Sequence, residues 1–232
     1  MAAPLVLLPG LLCDGAVWQA QTEALGAAHI ADYGERDSLT AMAEHVLATA
    51  PTGPLSVAGH SMGGRVAFEM LRRAPERIER LALLDTSYHP LAEGAAGETE
   101  TKGRLALLAI ARRNGMRTMA REWAPGMVHP SRHTGPVFDT VLDMFDRKTP
   151  DIFAAQINAL LNRPDCTELL RTIHCPTLLL CGREDAWSPP SRHEYMHAAI
   201  AGSRLVVVEQ CGHMSTMEQP EAVSRALAEW LG

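Results

Sequence analysis

The sequence has no apolar run that approaches the length of a membrane-spanning helix. Near the N-terminus the run Leu5–Leu8 ends at Pro9-Gly10, whereas a spanning helix needs about 20 apolar residues. The same region lacks the basic stretch and the cleavage pattern of a secretory signal. We therefore expect no membrane partner and a cytoplasmic location.

Cysteine is scarce, with five residues and no C-x-x-C pair. This odd count favours reduced thiols over a disulfide framework. Cys175 and Cys181 lie beside or within an apolar run, where a free thiol behaves as a small hydrophobic side chain. Reduced thiols agree with the expected cytoplasmic location.

Positive charge is also in short supply, because 21 lysines and arginines face 27 acidic residues for a net charge of −6. This balance argues against nucleic acid and anionic membranes as partners. Along the sequence no cluster of arginine or lysine stands out as an anchor for a phosphorylated or CoA-linked substrate. A small basic site stays compatible with the overall charge.

The sequence does contain a regular alternation of short apolar runs and longer segments with helical periodicity. Its 232 residues fit one large domain or one domain with an insertion. Apolar runs indicate buried strands, and the amphipathic segments between them indicate helices. The alternation predicts an α/β fold with a mostly parallel sheet and helices on both faces. The predicted strands are Leu5–Leu8, His29–Tyr33, Leu55–Ala58, Ile78–Leu84, Pro176–Cys181 and Leu205–Val208.

One segment, from Tyr88 to Ile173, interrupts the alternation because it has no strand pattern. We expect a flexible stretch over Glu93–Gly103, followed by several helices. A helical insertion of this kind would lie over the carboxyl ends of the strands, where α/β sheets bind their ligands. The predicted division is a core formed by residues 1–87 and 174–232 and a helical cap, or lid, formed by residues 88–173.

The segment Gly59-His60-Ser61-Met62-Gly63 matches the pattern G-x-S-x-G between a predicted strand and a predicted helix. A nucleophile on such a sharp, strained turn needs neighbours that are nearly free of side chains. The turn lifts the Ser61 oxygen clear of the sheet and directs the Met62 amide at a developing oxyanion. We expect His60 to be structural, with its side chain pointing away from the site.

A serine nucleophile needs a base and an acid that orients the base. Two predicted strands downstream of Ser61 run into Asp185 and His213, in the order nucleophile, acid, histidine that follows such a turn. All three residues then lie at one edge of the sheet, which predicts a Ser61–His213–Asp185 triad. Asp85 also ends a strand, so it stays the alternative acid.

These residues resemble the α/β-hydrolase superfamily over nearly the whole chain. Leu7–Leu11 is similar to the loop after the first core strand of that family, with Pro9 in place of its usual histidine. The resemblance implies that the Leu11 amide is the second oxyanion donor. Gly182–Asp185 is similar to the acid turn of the family, and Gly212-His213 with Glu218 and Pro220 to its histidine loop. The family's first two strands have no counterpart here, which implies a sheet of about six strands.

A second motif, H-E-x-x-H, occurs at His193, Glu194 and His197. This spacing places two imidazoles on one face of a helix, as in some zinc enzymes. A zinc site needs a third protein ligand, and the extended form of the motif fails because Ile200 stands where glycine is required. We therefore predict no metal and no cofactor.

The sequence predicts a carboxylic ester hydrolase that acts on a small, mainly apolar ester through an acyl-enzyme on Ser61. Alternatives with the same triad are a C–C hydrolase, a lactonase or an elimination lyase, and a third class is a non-catalytic receptor for a small ligand. The oligomeric state stays open. The candidate pocket residues, apolar and adaptable, are Trp123, Met127, Trp187, Met214 and Met217.

Overall fold

The computed structural model describes residues 3–232. Residues 1 and 2, which begin the predicted core segment 1–87, lie outside the described residues. Six parallel strands form one sheet in the order β2-β1-β3-β4-β5-β6, which confirms the predicted α/β class. The strands are β1 (Leu5–Leu8), β2 (His29–Ile30), β3 (Leu55–His60), β4 (Ile78–Leu84), β5 (Thr177–Gly182) and β6 (Arg204–Val208).

Helices connect the strands and cover the sheet. Within residues 3–232, every helix is too short or too polar to cross a bilayer. The helices are α1 (Gln19–Leu25), α2 (Leu39–Thr49), α3 (Met62–Arg73), α4 (Ala95–Asn114), α5 (Met116–Trp123), α6 (Pro136–Asp146), α7 (Pro150–Leu161), α8 (Thr167–Leu170), α9 (Pro190–Ala199), α10 (Ser215–Glu218) and α11 (Pro220–Leu231).

Strands β1, β3 and β5 are buried along their whole length, and β4 is buried except at Glu79 and Arg80 near its start, as expected for a parallel sheet with helices on both faces. Helix α2 packs beside α3, and α1 packs beside α11. Strand β3 extends to His60, two residues beyond its predicted end, and His60 is in register with Leu84 of β4. The carboxyl ends of β3 and β4 therefore stop at the same level, which brings the residues that follow them to one edge.

The chain between β4 and β5 is helical, with α4 to α8. The division into a core and a cap stays a prediction, and the predicted flexible stretch Glu93–Gly103 is wrong. Helix α4 already begins at Ala95, after Gly94 with φ +66°. Ion pairs four residues apart, Glu98–Lys102 and Glu100–Arg104, support its first turns.

The packing of the core predicts how much stability is lost when a large side chain is removed from α3. Phe68 is fully buried, so Phe68→Ala leaves a cavity and should lower the free energy of unfolding by about 3–5 kcal/mol. Urea denaturation followed by circular dichroism measures the change. Leu105→Ala on α4 is the control, because Leu105 is 49% exposed and its loss should change stability by at most about 0.5 kcal/mol. Equal effects of the two variants would contradict the packing described above.

Candidate active site

Ser61 lies in a strained turn between β3 and α3, with φ +54° and ψ −116°. The two glycines of the motif are required by close backbone contacts. A Cβ on Gly59 would lie 2.5 Å from the backbone of Gly63, and a Cβ on Gly63 would lie 2.0 Å from the carbonyl oxygen of Leu8. The Ser61 amide donates to the Leu84 carbonyl at 2.8 Å. The turn is therefore held by its neighbours in a conformation that a serine rarely adopts.

The structure brings Ser61, His213 and Asp185 together in one chain of hydrogen bonds. The distance from Ser61 Oγ to His213 Nε2 is 2.8 Å, and the distance from His213 Nδ1 to Asp185 Oδ2 is also 2.8 Å. Because a carboxylate only accepts, Nδ1 donates to Asp185, which leaves Nε2 free to accept from the Ser61 hydroxyl. The other Asp185 oxygen accepts from the amides of Trp187 and Ser188, both at 2.9 Å.

The pKa values of His213 and Asp185 follow from the burial of the two side chains and from the short contact between them. Burial disfavours the charged imidazole of His213, but the charge of Asp185 and its hydrogen bond outweigh this effect and raise the pKa of His213 above its ordinary 6.5. Burial would raise the pKa of Asp185, yet its contacts with His213 and the two amides lower that pKa below 3.8. Asp185 is therefore ionised at neutral pH.

A buried carboxylate, Glu218, holds the loop that carries His213. It accepts from the amides of Gly212 at 2.9 Å and Met214 at 3.2 Å, on either side of the histidine, and from the His129 amide at 2.7 Å. The His213 amide donates in turn to the Met127 carbonyl at 2.7 Å. These bonds tie the histidine loop to the 88–173 segment and fix the position of the imidazole.

His60 also contacts the histidine loop, contrary to the expectation that its side chain points away from the site. Its Nε2 donates to the His213 carbonyl at 2.8 Å. Burial, together with the nearby His213, lowers the pKa of His60 to about 3, so the ring is neutral. The close approach of Gly10, where a Cβ would lie 2.9 Å from His60 Nδ1, seats the ring below the site.

Asp85, the alternative acid, is engaged elsewhere. Its Oδ1 accepts from the Gly182 amide at 3.1 Å, and its Oδ2 accepts from the amide and hydroxyl of Ser215 at 3.3 and 2.5 Å. Burial and the neighbouring Asp185 raise the pKa of Asp85 well above its ordinary range. The side chain links the end of β5 to α10, whereas Asp185 is the carboxylate at His213 Nδ1.

The predicted oxyanion donors lie on two neighbouring backbone segments. Within residues 3–232, the amides of Leu11 and Met62 have no hydrogen-bond partner. For Met62 this is expected, because the first amides of a helix have no partner within the helix. The next amide, that of Leu12, donates to the buried Gln156 Oε1 at 2.8 Å, and Leu12 has φ +60°. Gln156, on α7, thus holds the loop that carries Leu11, a role without any signal in the sequence.

Two cavities meet at Ser61. The larger, of about 890 Å³, lies between the ends of the strands and the 88–173 segment, and the smaller, of about 60 Å³, is lined mainly by apolar side chains. Among the predicted pocket residues, Trp123 and Trp187 stack with ring centroids 5.2 Å apart and line both cavities. Met127 and Met214 line the smaller cavity, and Met217 lines neither.

The larger cavity contains a group of arginines that sequence reasoning missed. They come from four separate stretches, so that no local cluster of basic residues marks them in the sequence. Only the fold brings them to the same wall as Ser61. The arginines are Arg65, Arg104, Arg163 and Arg192.

The H-E-x-x-H motif lies on α9, where its residues make other contacts. His193 is fully buried, and its Nε2 accepts from the Thr86 amide at 3.3 Å. His197 Nδ1 pairs with the Ser203 hydroxyl at 2.9 Å, and Glu194 is exposed. Within residues 3–232, no group of three or more His, Cys, Asp or Glu side chains is placed to hold a metal ion.

Comparisons with known proteins agree with the observed α/β fold. Residues 5–226 match the model of the alpha/beta hydrolase family. A pimeloyl-[acyl-carrier protein] methyl ester esterase of Neisseria meningitidis is 27% identical over 89% of this chain and 66% of that protein. The enzyme of the same name from Nitrosomonas europaea is 28% identical over 94% and 91%.

Among solved structures, a thermophilic esterase from Thermogutta terrifontis with malate bound superposes with a TM-score of 0.88. It is 32% identical, and the match covers 100% of this chain and 90% of that one. The named activities of these three relatives are all ester hydrolysis, in agreement with the predicted class of reaction.

The contact between His213 and Asp185 predicts how the imidazole titrates. In an NMR titration, His213 should protonate with a pKa above 6.5, because its charged form is stabilised by Asp185. Asp185→Asn removes that charge and leaves burial, so the pKa should fall below the wild-type value. Glu194→Gln, an exposed change on α9, should leave the titration unaltered. An unchanged pKa in Asp185→Asn would contradict the coupling.

Proposed function

The chain belongs to the alpha/beta hydrolase family, and from this premise we propose that it hydrolyses a carboxylic ester through an acyl-enzyme on Ser61. The observation that carries the proposal is the hydrogen-bonded series Ser61–His213–Asp185, with both links at 2.8 Å. A neutral imidazole at this distance accepts the serine proton as the oxygen attacks the ester carbonyl.

In the proposed mechanism, proton transfer and charge stabilisation are assigned to separate groups. His213 takes the Ser61 proton and then donates it to the alcohol that leaves, which yields the acyl-enzyme. Asp185 stays ionised and stabilises the imidazolium. The amides of Leu11 and Met62 donate to the oxyanion. A water molecule, activated by His213, then attacks the acyl group and releases the acid and free Ser61.

The shape of the site supports an ester whose reacting end is small and mainly apolar. The smaller cavity, of about 60 Å³, includes Phe145, Met127 and Trp187 in its lining and opens beside Ser61. Apolar walls of this kind favour short aliphatic groups. A lactonase, a C–C hydrolase and an elimination lyase use the same triad on other bonds.

We also propose that the protein functions in a reducing compartment, the cytoplasm. Support comes from its five free thiols, of which Cys13, Cys166, Cys181 and Cys211 are buried. Burial raises the pKa of the Cys13 thiol to about 12, so that this thiol stays protonated and unreactive.

The nucleophile is tested by Ser61→Ala. Hydrolysis of p-nitrophenyl esters should fall by about 10⁴–10⁶-fold, because the variant has no oxygen to form the acyl-enzyme, and labelling by a fluorophosphonate should disappear. A graded series of chain lengths should show fastest turnover of the short esters. Near wild-type activity in Ser61→Ala would overturn the proposal. If the wild type is labelled by the fluorophosphonate but hydrolyses no ester, the protein is a lactonase, a C–C hydrolase or an elimination lyase. If it binds a ligand but shows neither labelling nor ester hydrolysis, it is a receptor.

The identity of the acid is tested by comparing two substitutions. Asp185→Asn should lower kcat/KM by about 10⁴-fold, because the imidazole loses the partner that orients it. Asp85→Asn should have a far smaller effect, since Asp85 binds Ser215 and Gly182 rather than His213. A larger loss in Asp85→Asn than in Asp185→Asn would reverse the assignment.

The pH profiles of the wild type and of Asp185→Asn offer a further check on the role of Asp185. Activity requires neutral His213, so it rises with pH through the His213 pKa, which lies above 6.5 in the wild type. The acidic limb should move to lower pH in the residual activity of Asp185→Asn, because the carboxylate no longer stabilises the protonated ring.

A further inference from the structure

The larger cavity beside Ser61 has an excess of positive charge. Four arginines and two glutamates, Glu93 and Glu100, line it, which leaves a difference of two positive charges. Glu93 is exposed, so its charge is the more strongly screened by water. This local excess contrasts with the net charge of −6 for the whole chain.

One carboxylate, that of Glu100, pairs with two of the four arginines and balances one of their two positive charges. Glu100 pairs with Arg163 through two short contacts, at 2.7 and 2.8 Å. The same carboxylate also accepts from Arg104 at 2.9 Å. These contacts and charges lower the pKa of Glu100 to about 2, although burial opposes the shift. Glu100 is therefore shared and leaves little negative charge for any further cation.

Arg65 is the most buried of the four, with 9% of its surface exposed. Its Nη1 donates to the His89 carbonyl at 2.9 Å, and Arg163 Nε donates to the same oxygen at 3.3 Å. Within residues 3–232, no carboxylate lies within 4 Å of the Arg65 guanidinium. Burial and the nearby Arg163 lower the pKa of Arg65 to about 9, so it stays charged at neutral pH. A buried charge without a counter-ion is costly in a folded protein.

Arg192, on α9, is the second of the four cavity arginines that has no carboxylate of residues 3–232 within 4 Å. It is half-buried, and its Nη1 donates to the Ser87 hydroxyl at 3.3 Å. The arginines also affect the nearby His89. Burial, together with the charges of Arg192, Arg65 and Arg163, lowers the pKa of His89 to about 4. The wall of the cavity thus carries a positive potential that the protein's own acids leave uncompensated.

We propose that this cavity binds an oxyanion group of the substrate, a carboxylate or a phosphate, through Arg65 and Arg192. The substrate is then an ester with an apolar reacting end at Ser61 and a negatively charged remote end. Guanidinium groups suit this task because their paired N–H donors match the oxygens of such anions. The inference rests on the proposed ester hydrolysis for the identity of the reacting bond.

The catalytic test compares monomethyl glutarate with methyl 5-oxohexanoate, a neutral ester of similar length. The wild type should have the higher kcat/KM for the anionic ester. Arg65→Met and Arg192→Gln should each lower the ratio of kcat/KM for the anionic ester to kcat/KM for the neutral ester by about 10–100-fold. This is the effect expected for the loss of a hydrogen bond to a charged group. Arg171→Met is the matched control, because Arg171 is exposed, pairs with Glu168 and lies outside the cavity.

A constant ratio in both cavity variants, or a wild-type preference for the neutral ester, would overturn the anion site while leaving ester hydrolysis intact. A binding test separates the two proposals, since it needs no turnover. In the Ser61→Ala protein, calorimetry should detect the binding of glutarate or of inorganic phosphate. In the double variant Ser61→Ala/Arg65→Met, the Kd should rise by about tenfold or more. The tighter of the two ligands identifies the oxyanion. If neither binds, or if Arg65→Met and Arg192→Gln both leave binding unchanged, the anion site is wrong.

Discussion

The hydrogen bond between Ser61 Oγ and His213 Nε2 is the contact on which the rest of the site depends. It joins residues 152 positions apart in the chain, so it exists only if the strands that carry them end at the same edge of the sheet. Parallel pairing supplies that condition, because all six strands run in one direction and their carboxyl ends stop at similar levels. The strained turn at Ser61 then raises its oxygen towards the imidazole.

Much of the buried polar structure near this contact holds loops in place. Glu218 binds the amides on both sides of His213, His60 binds its carbonyl, and Asp85 connects β5 to α10. Each group is buried, and each would be costly to bury without its partners. Their shared effect is to restrict the imidazole to one position, which is what a base needs when it must meet a hydroxyl within hydrogen-bond distance.

The 88–173 segment affects the site through polar contacts as well as through its apolar walls. Gln156 holds the loop of the proposed oxyanion donor Leu11, and Met127 accepts from the His213 amide. Arg104 and Arg163 come from the same segment, whereas Arg65 and Arg192 come from outside it. The proposed anion site and the proposed reaction centre therefore depend on the same junction between this segment and the sheet.

The sequence by itself determined the architecture and two residues of the proposed triad, Ser61 and His213, and it limited the acid to Asp185 or Asp85. Three features can be recognised in the sequence without knowledge of distant contacts. They are the continuous apolar runs of the strands, the glycines around Ser61, and the positions of Asp185 and His213 after predicted strands. Other features were decided only by the tertiary structure. The choice between two strand-end acids depended on which carboxylate reaches His213 Nδ1, and Asp85 turned towards Ser215 instead. The arginine group and the Gln156 contact join residues from distant parts of the chain. Their spacing in the sequence carries no period or motif, because their proximity is a property of packing alone.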